Sequence, residues 1–177
     1  MILMENKYEN FMELAASRWS VRKFKDEKIT KEELDKILLA GGIAPTADNH
    51  QPQKILILQS EKALDAIRQL TPCTYNAPIV LLICSDFTES WTNVDGFNSG
   101  EMDAVICGVH MMLEAWDLGI GSCWVRSFDL NKVIDAFTIP RNVNPIALLP
   151  LGYPADDAMP NNAHYFRKPY EDNCIYL

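Results

Sequence analysis

A mixed α/β domain of the α+β type, with a central sheet flanked by helices, is the fold this sequence predicts. Three observations carry it. Residues 78–85, Pro-Ile-Val-Leu-Leu-Ile-Cys-Ser, form a continuous apolar run, the mark of a strand buried on both faces. Residues 101–118 give the strongest helical signal, with Met102, Val105, Ile106, Val109, Met112, Leu113 and Trp116 at three- and four-residue steps. Shorter helix and strand patterns alternate around these two, and 177 residues suffice for one substantial core but hardly for two.

In chain order, residues 5–17 read as a helix with Tyr8, Phe11, Met12 and Ala15 on one face. A basic turn follows, Ser17-Arg18-Trp19-Ser20-Val21-Arg22-Lys23-Phe24, in which two guanidinium forks flank a hydroxyl. Those donors match phosphate or carboxylate oxygens, with Val21 and Phe24 as apolar anchors. Read without context, the same run is an ordinary solvated basic segment. A second helix opens at Thr30, with Glu33 completing a capping box, turns Leu34, Ile37 and Leu38 inward and stops at Gly41-Gly42. Residues 43–52 form a loop rich in side-chain amides, suited either to reading the edge of a heterocycle or to satisfying a turn.

Residues 54–58 make a short strand, and Ser60 caps a helix reaching about Leu70. After the buried strand, residues 86–100 form a long polar loop carrying Trp91 and Phe97, which either cover a planar ligand or pack on a partner subunit. The apolar stripe of the long helix reads as core or subunit interface, with Asp103, Cys107, His110 and Glu114 lying off it. Gly119-Ile120-Gly121 ends that helix. Residues 122–128 read as a strand entering a helix capped by Asp129, with Val133, Ile134 and Phe137 inward. The last strand covers residues 145–151, and the tail beyond Gly152-Tyr153-Pro154 would fray unless it docks.

Composition narrows the function. A net charge of -8 and a pI near 4.8 argue against a nucleic-acid surface, whereas 6 of the 16 Lys and Arg residues fall within residues 18–31. That local positive charge suits a small anionic ligand. Five cysteines, odd in number and without a Cys-x-x-Cys pair, argue against a disulfide framework or a zinc site and for a reducing compartment. Glu5 and Glu9 interrupt any export signal, and the longest apolar run is too short to span a bilayer, so a cytoplasmic protein without membrane attachment is expected. No Ser-His-Asp set, activated Cys-His pair, paired catalytic carboxylates or metal cluster stands out.

Four segments in order then carry a resemblance. The Ser-Arg-Trp-Ser-Val-Arg-Lys-Phe opening, the Ala-Pro-Thr-Ala-Asp-Asn-His-Gln-Pro loop, Gly-Ile-Gly-Ser-Cys-Trp, and Leu-Gly-Tyr-Pro followed by Arg-Lys-Pro resemble the nitroreductase family across nearly the whole chain. The resemblance implies a single nitroreductase-like domain over residues 1–177, with a mostly antiparallel sheet. It implies a domain-swapped homodimer in which residues 154–177 wrap the partner. It further implies bound FMN at subunit-interface sites, reduced by NADH or NADPH in a ping-pong reaction that passes electrons to a small electron-poor acceptor such as a nitroaromatic or quinone. A flavin-binding module with little turnover, or other flavin chemistry such as flavin consumption or reductive dehalogenation, are the alternatives. By this likeness Arg18, Trp19, Ser20 and Arg22 hold the flavin's phosphate, ribityl chain and pyrimidine edge, Trp19 standing where Arg or His is commoner in the family. Pro45, Thr46, Asn49 and Gln51 resemble the partner loop reaching the same flavin, with Gln53 where an aromatic residue often stands. Val125, Arg126 and Ser127 are similar to the segment whose backbone approaches flavin N5 and O4, and Gly152 and Arg167 to the closing contacts, Arg167 on the phosphate. The flavin carries the chemistry, so no catalytic side chain or metal ligand is assigned.

Overall fold

The computed structural model describes residues 8–177, so residues 5–7 of the expected first helix lie outside the described residues. Helix α1 covers Phe11–Ser17. It starts later than its apolar spacing suggested, because Asn10 is in extended conformation and its side chain accepts the Glu13 N–H at 3.1 Å, fixing the N-terminus there. Helix α2, Lys31–Gly42, has the full Thr30–Glu33 capping box. Then come β1 (Gln53–Leu58), α3 (Glu61–Leu70, capped by Ser60), β2 (Ile79–Asp86), α4 (Gly100–Asp117), β3 (Gly121–Ser122), α5 (Leu130–Phe137, capped by Asp129) and β4 (Val143–Gly152).

The strands form one antiparallel sheet in the order β1-β2-β4-β3. Every residue of β2 is buried, as its sequence demanded. Its alternation splits the core in two. Ile79, Leu81 and Ile83 join Leu34 and Ile37 of α2 and Ala104, Cys107 and Met111 of α4, while Val80, Leu82 and Cys84 join Leu64 and Ile67 of α3 and Val133 of α5. The sheet is therefore a middle layer between two pairs of helices. Each fully buried Ile or Leu contributes about 1.5–3 kcal/mol.

The register of β4 shifts near its start. Ala147 faces Ile83 and Pro145 faces Cys84, so Ile146 is an extra, bulged residue. The bulge turns Ile146 to the same face as Leu149 and Leu151, whereas Leu148 faces the other core.

Two expectations need correction. The strand read over 122–128 is short: β3 is only Gly121–Ser122, and Val125 rejoins β4 through an isolated bridge to Leu148. The next register position would set Cys123 against Pro150, which has no N–H to offer the ladder. The apolar stripe of α4 does not all face the core either. Met102, Val105 and Val109 are 55%, 37% and 44% exposed, while Asp103 and Cys107, read as off-stripe, are buried. Small residues set this face. A methyl group on Gly108 would lie 2.3 Å from the Trp124 ring, and one on Gly41 of α2 would lie 2.8 Å from Met111 Cγ. Helices α2 and α4 approach closely where Gly41 meets Met111 and Cys107, and Gly108 lets α4 settle onto Trp124 and Ile83; larger residues would hold these surfaces apart. No helix among the described residues is long and apolar enough to cross a membrane.

Candidate functional site

The basic turn after α1 is laid along the end of the sheet by backbone hydrogen bonds. Val21 N–H donates to Ser122 O at 2.9 Å, Lys25 N–H to Tyr153 O at 2.9 Å, and Ala155 N–H returns to Lys23 O at 3.0 Å. Val21 is fully buried against Gly121. Alternation then places Ser20 and Arg22 on the opposite side from Val21. Arg22 Nη1 donates to Ser20 O at 3.3 Å.

Facing this segment is the tail. Arg18, Trp19, Ser20 and Arg22 line one wall of a cavity of about 390 Å³, and Asn161, Ala163, His164 and Arg167 line the other. An adjoining hollow of about 310 Å³ shares Trp19, Ser20, Arg22 and Asn161 and extends past Lys23 to Asp157 and Met159. Ion pairs Lys23–Asp157 and Lys25–Asp156, the latter at 2.6 Å, hold the start of the tail beside it. Residues almost 150 positions apart thus meet at one site.

Its electrostatics are unbalanced. Arg18 Nη1 is buried with no hydrogen-bond partner. Burial, and next the charge of Arg167, lower the Arg18 pKa from its ordinary value, with an opposing contribution from Cys123. The Arg167 guanidinium donates to the carbonyls of His164 and Phe166, the latter at 2.9 Å, closing the turn Asn162–Tyr165. Two like charges and a buried, unused N–H are costly unless an anion shares them.

The other expected site residues stand on separate segments and do not line this cavity. Trp19 packs edge-to-face on Trp116 of α4, ring centroids 6.2 Å apart, and Trp116 Nε1 donates to Ser17 Oγ at 2.9 Å. Its side chain is therefore a wall, fixed from behind. Pro45, Thr46, Asn49 and Gln51 belong to a tight exposed loop in which Asp48, Asn49 and Gln51 have φ of 50°, 57° and 52°. Asn and Asp tolerate that left-handed conformation, whereas Gln adopts it at a cost. Thr46 Oγ1 compensates by accepting the Gln51 N–H at 3.1 Å, and Gln51 Nε2 donates to Asn49 O at 3.2 Å.

Val125 spends both backbone groups on Leu148, at 3.0 and 2.9 Å. Arg126 Nη1 donates to Ile146 O, the carbonyl freed by the bulge, so its side chain braces β4. Ser127 O accepts the Thr71 hydroxyl at 2.7 Å. Gly152 is buried, and a methyl group there would lie 2.9 Å from both Phe24 Cδ1 and Pro78 Cδ, so close packing is what it provides.

Sequence reading missed Asn161, Ala163 and His164. They lie in the aperiodic tail, where the one usable signal was Asn161 as the cap of a short turn leading to Arg167.

The donor set fits a phosphate monoester, since Arg18, Arg22, Arg167 and the Ser20 hydroxyl converge from two walls on one cavity. The family model described as the nitroreductase family matches residues 15–75 and 70–153. This chain belongs to the nitroreductase family. Among its relatives, a protein of Methanothermobacter thermautotrophicus provisionally named NADH dehydrogenase/NAD(P)H nitroreductase is 29% identical over 153 residues, spanning 82% of this chain and 78% of that one. A Bacillus subtilis FMN reductase [NAD(P)H] is 27% identical over 77% of this chain and 63% of its own length. The crystal structure of a nitroreductase family protein from Clostridium difficile superposes with a TM-score of 0.88 at 34% identity, covering 94% of this chain and 98% of that one. A protein from Exiguobacterium sibiricum, solved in complex with FMN, shares the fold at 20% identity and a TM-score of 0.82, covering 96% and 98% of the two chains.

Proposed function

We propose that this nitroreductase-family protein is an NAD(P)H-dependent FMN oxidoreductase, with the flavin phosphate in the cavity between Arg18, Arg22 and Arg167. The observations that carry the reading are the meeting of Arg18, Arg22 and Arg167 around one cavity and the partnerless Arg18 Nη1 buried behind its wall. The names of the relatives, an NAD(P)H nitroreductase and an FMN reductase, support it. FMN held there would supply the redox chemistry between NADH or NADPH and an electron-poor acceptor such as a nitroaromatic or quinone.

The chain's part is binding and orientation. Arg18, Arg22 and Arg167 neutralise the phosphate, Ser20 adds a hydroxyl donor, and the Trp19–Trp116 pair keeps that wall rigid. Thr46, Asn49 and Gln51 read the mixed donor and acceptor edge of the flavin in a neighbouring subunit. That arrangement requires a homodimer. It is supported by exposed apolar side chains on three elements, Phe11 and Met12 of α1, Leu39 of α2, and Met102 and Val109 of α4. The tail adds Phe166, Ile175 and Tyr176, each more than three-quarters exposed, and we read residues 154–177 as wrapping the partner. The five free cysteines suit the cytoplasm.

Equilibrium dialysis with FMN, followed by flavin fluorescence, tests the assignment. A charge-assisted contact contributes about 1.5–3 kcal/mol, so Arg18→Ala and Arg167→Ala should each weaken FMN binding about 10- to 100-fold. Arg18→Ala should leave the flavin-free protein no less stable, since it removes a partnerless guanidinium. Unchanged FMN retention in both variants, or a wild-type protein that takes up no FMN, refutes the reading.

A further inference from the structure

Asp103 is a carboxylate 2% exposed to solvent, in the first turn of α4 and surrounded in sequence by Met102, Ala104, Val105 and Ile106. A buried charge is unfavourable unless both oxygens are satisfied. Here each oxygen goes to a different loop. Oδ1 accepts the N–H of Ala47 at 2.9 Å, and Oδ2 accepts the hydroxyl of Ser99 at 2.7 Å.

Ala47 opens the turn that carries Asp48, Asn49 and Gln51 in left-handed conformation. Such backbone persists only where its surroundings hold it. Ser99 closes the hairpin formed by residues 91–99, its N–H bonded to Trp91 O at 2.9 Å, with Thr92 bridging Asn98 and Asn93 N–H bonded to Phe97 O at 2.9 Å. A second link ties the amide loop to the residues just before the hairpin: His50 Nδ1 lies 2.9 Å from Glu89 O, and Lys54 of β1 pairs with Glu89 at 2.5 Å. The core packing of this turn is done by Ala104 and Cys107, which need no carboxylate beside them.

We propose that Asp103 is a positioning residue of the flavin reaction: its carboxylate holds the amide loop and the base of the aromatic hairpin in one arrangement, so that cofactor retention and acceptor recognition both depend on it. The inference rests on the function proposed above, in which Asn49 and Gln51 contact the flavin. It adds that the hairpin bearing Trp91 and Phe97 shapes the acceptor side of the same site.

The holoprotein and its Asp103→Asn and Ser99→Ala variants are compared by FMN dissociation constant, by KM and kcat with a quinone such as menadione, and by backbone hydrogen exchange. Asp103→Asn keeps the shape but loses the charge and one acceptor oxygen. It should speed exchange in residues 46–51 and 91–99 while leaving β2 and β4 unchanged, and should raise both the FMN dissociation constant and the quinone KM roughly tenfold, with a smaller change in kcat. Ser99→Ala should loosen only the hairpin, raising KM while FMN binding stays as in wild type. Faster exchange in both loops with FMN affinity and KM within about twofold of wild type would make the carboxylate merely structural and overturn the proposal. Should Asp103→Asn not fold, Ser99→Ala decides: raised KM upholds the proposal, and a mobile hairpin with unchanged KM overturns it. A wild-type protein without FMN affinity would overturn the underlying reading instead, and is distinguished because no variant is needed to see it.

Discussion

Gly121→Ala is the smallest change that should loosen the arginine cavity without altering a charge. A methyl group on Gly121 would lie 2.5 Å from Val21 Cγ2, 2.7 Å from its Cβ and 3.0 Å from its Cγ1. Relaxed carbon contacts are about 3.5–4.0 Å. Val21 cannot easily retreat, because it is fully buried and its N–H is bonded to Ser122 O at 2.9 Å. The strain must pass into residues 18–24, which carry Arg18, Ser20 and Arg22. Overpacking of this kind costs about 1–3 kcal/mol. For a chain of this size that lowers Tm by about 2–12 °C. Val21→Ala removes two of the three contacts, those with Cγ1 and Cγ2, leaves the Cβ contact at 2.7 Å, and alone costs about 2 kcal/mol in lost burial and cavity. In the double variant the added methyl occupies part of the vacated space. Urea unfolding should therefore give a combined loss smaller than the sum of the single losses by about 1 kcal/mol or more. FMN affinity should fall in Gly121→Ala and partly recover in the double variant. Additive losses within about 0.5 kcal/mol would refute the claim that the Val21–Gly121 approach holds the segment in place.

Two other perturbations test the frame around the site. Arg126→Ala should remove the donor to the bulged Ile146 carbonyl and cost about 1 kcal/mol in urea unfolding, a value set low because the side chain is largely solvated. Equal stability to wild type would refute the bracing role of the Arg126 side chain. The Tyr153 phenol donates to Glu33 Oε1 at 2.7 Å, and this bond, ahead of burial, pushes its pKa up to about 12. Because the folded value lies above the unfolded one of about 10, the stabilisation is complete below about pH 10 and is lost as pH rises towards the folded value. Burial raises the Tyr75 pKa as well, so ultraviolet titration should show a late-ionising phase that shrinks by one tyrosine in Tyr153→Phe and shifts in part to lower pH in Glu33→Gln; an unchanged late phase in both variants would contradict the bond.

Features whose causes lie within a few residues were legible in the chain. The Thr30–Glu33 box, the Ser60 and Asp129 caps and the Ile-Val-Leu run of β2 stand where local pattern put them. Features set by a distant partner were not. The length of β3 depends on Pro150 lying opposite the next residue, and the side of α4 that faces inward depends on Gly41 and Trp124. Arg126 could be placed in its segment by resemblance, but that its side chain serves a bulge depends on the β2–β4 register.

The candidate site divides in the same way. Order and residue type carried the resemblance to the family, the donor character of Arg18, Ser20 and Arg22, and the amide character of residues 43–52, because donor chemistry travels with the side chain wherever it is placed. The pairing of Arg167 with Arg18 came from the resemblance, whereas only the tertiary structure decided that Asn161, Ala163 and His164 share that wall and that Asp103 is held between two loops. The physical reason is that buried charge acts through distance and desolvation, and both are properties of the packed chain rather than of its order of residues.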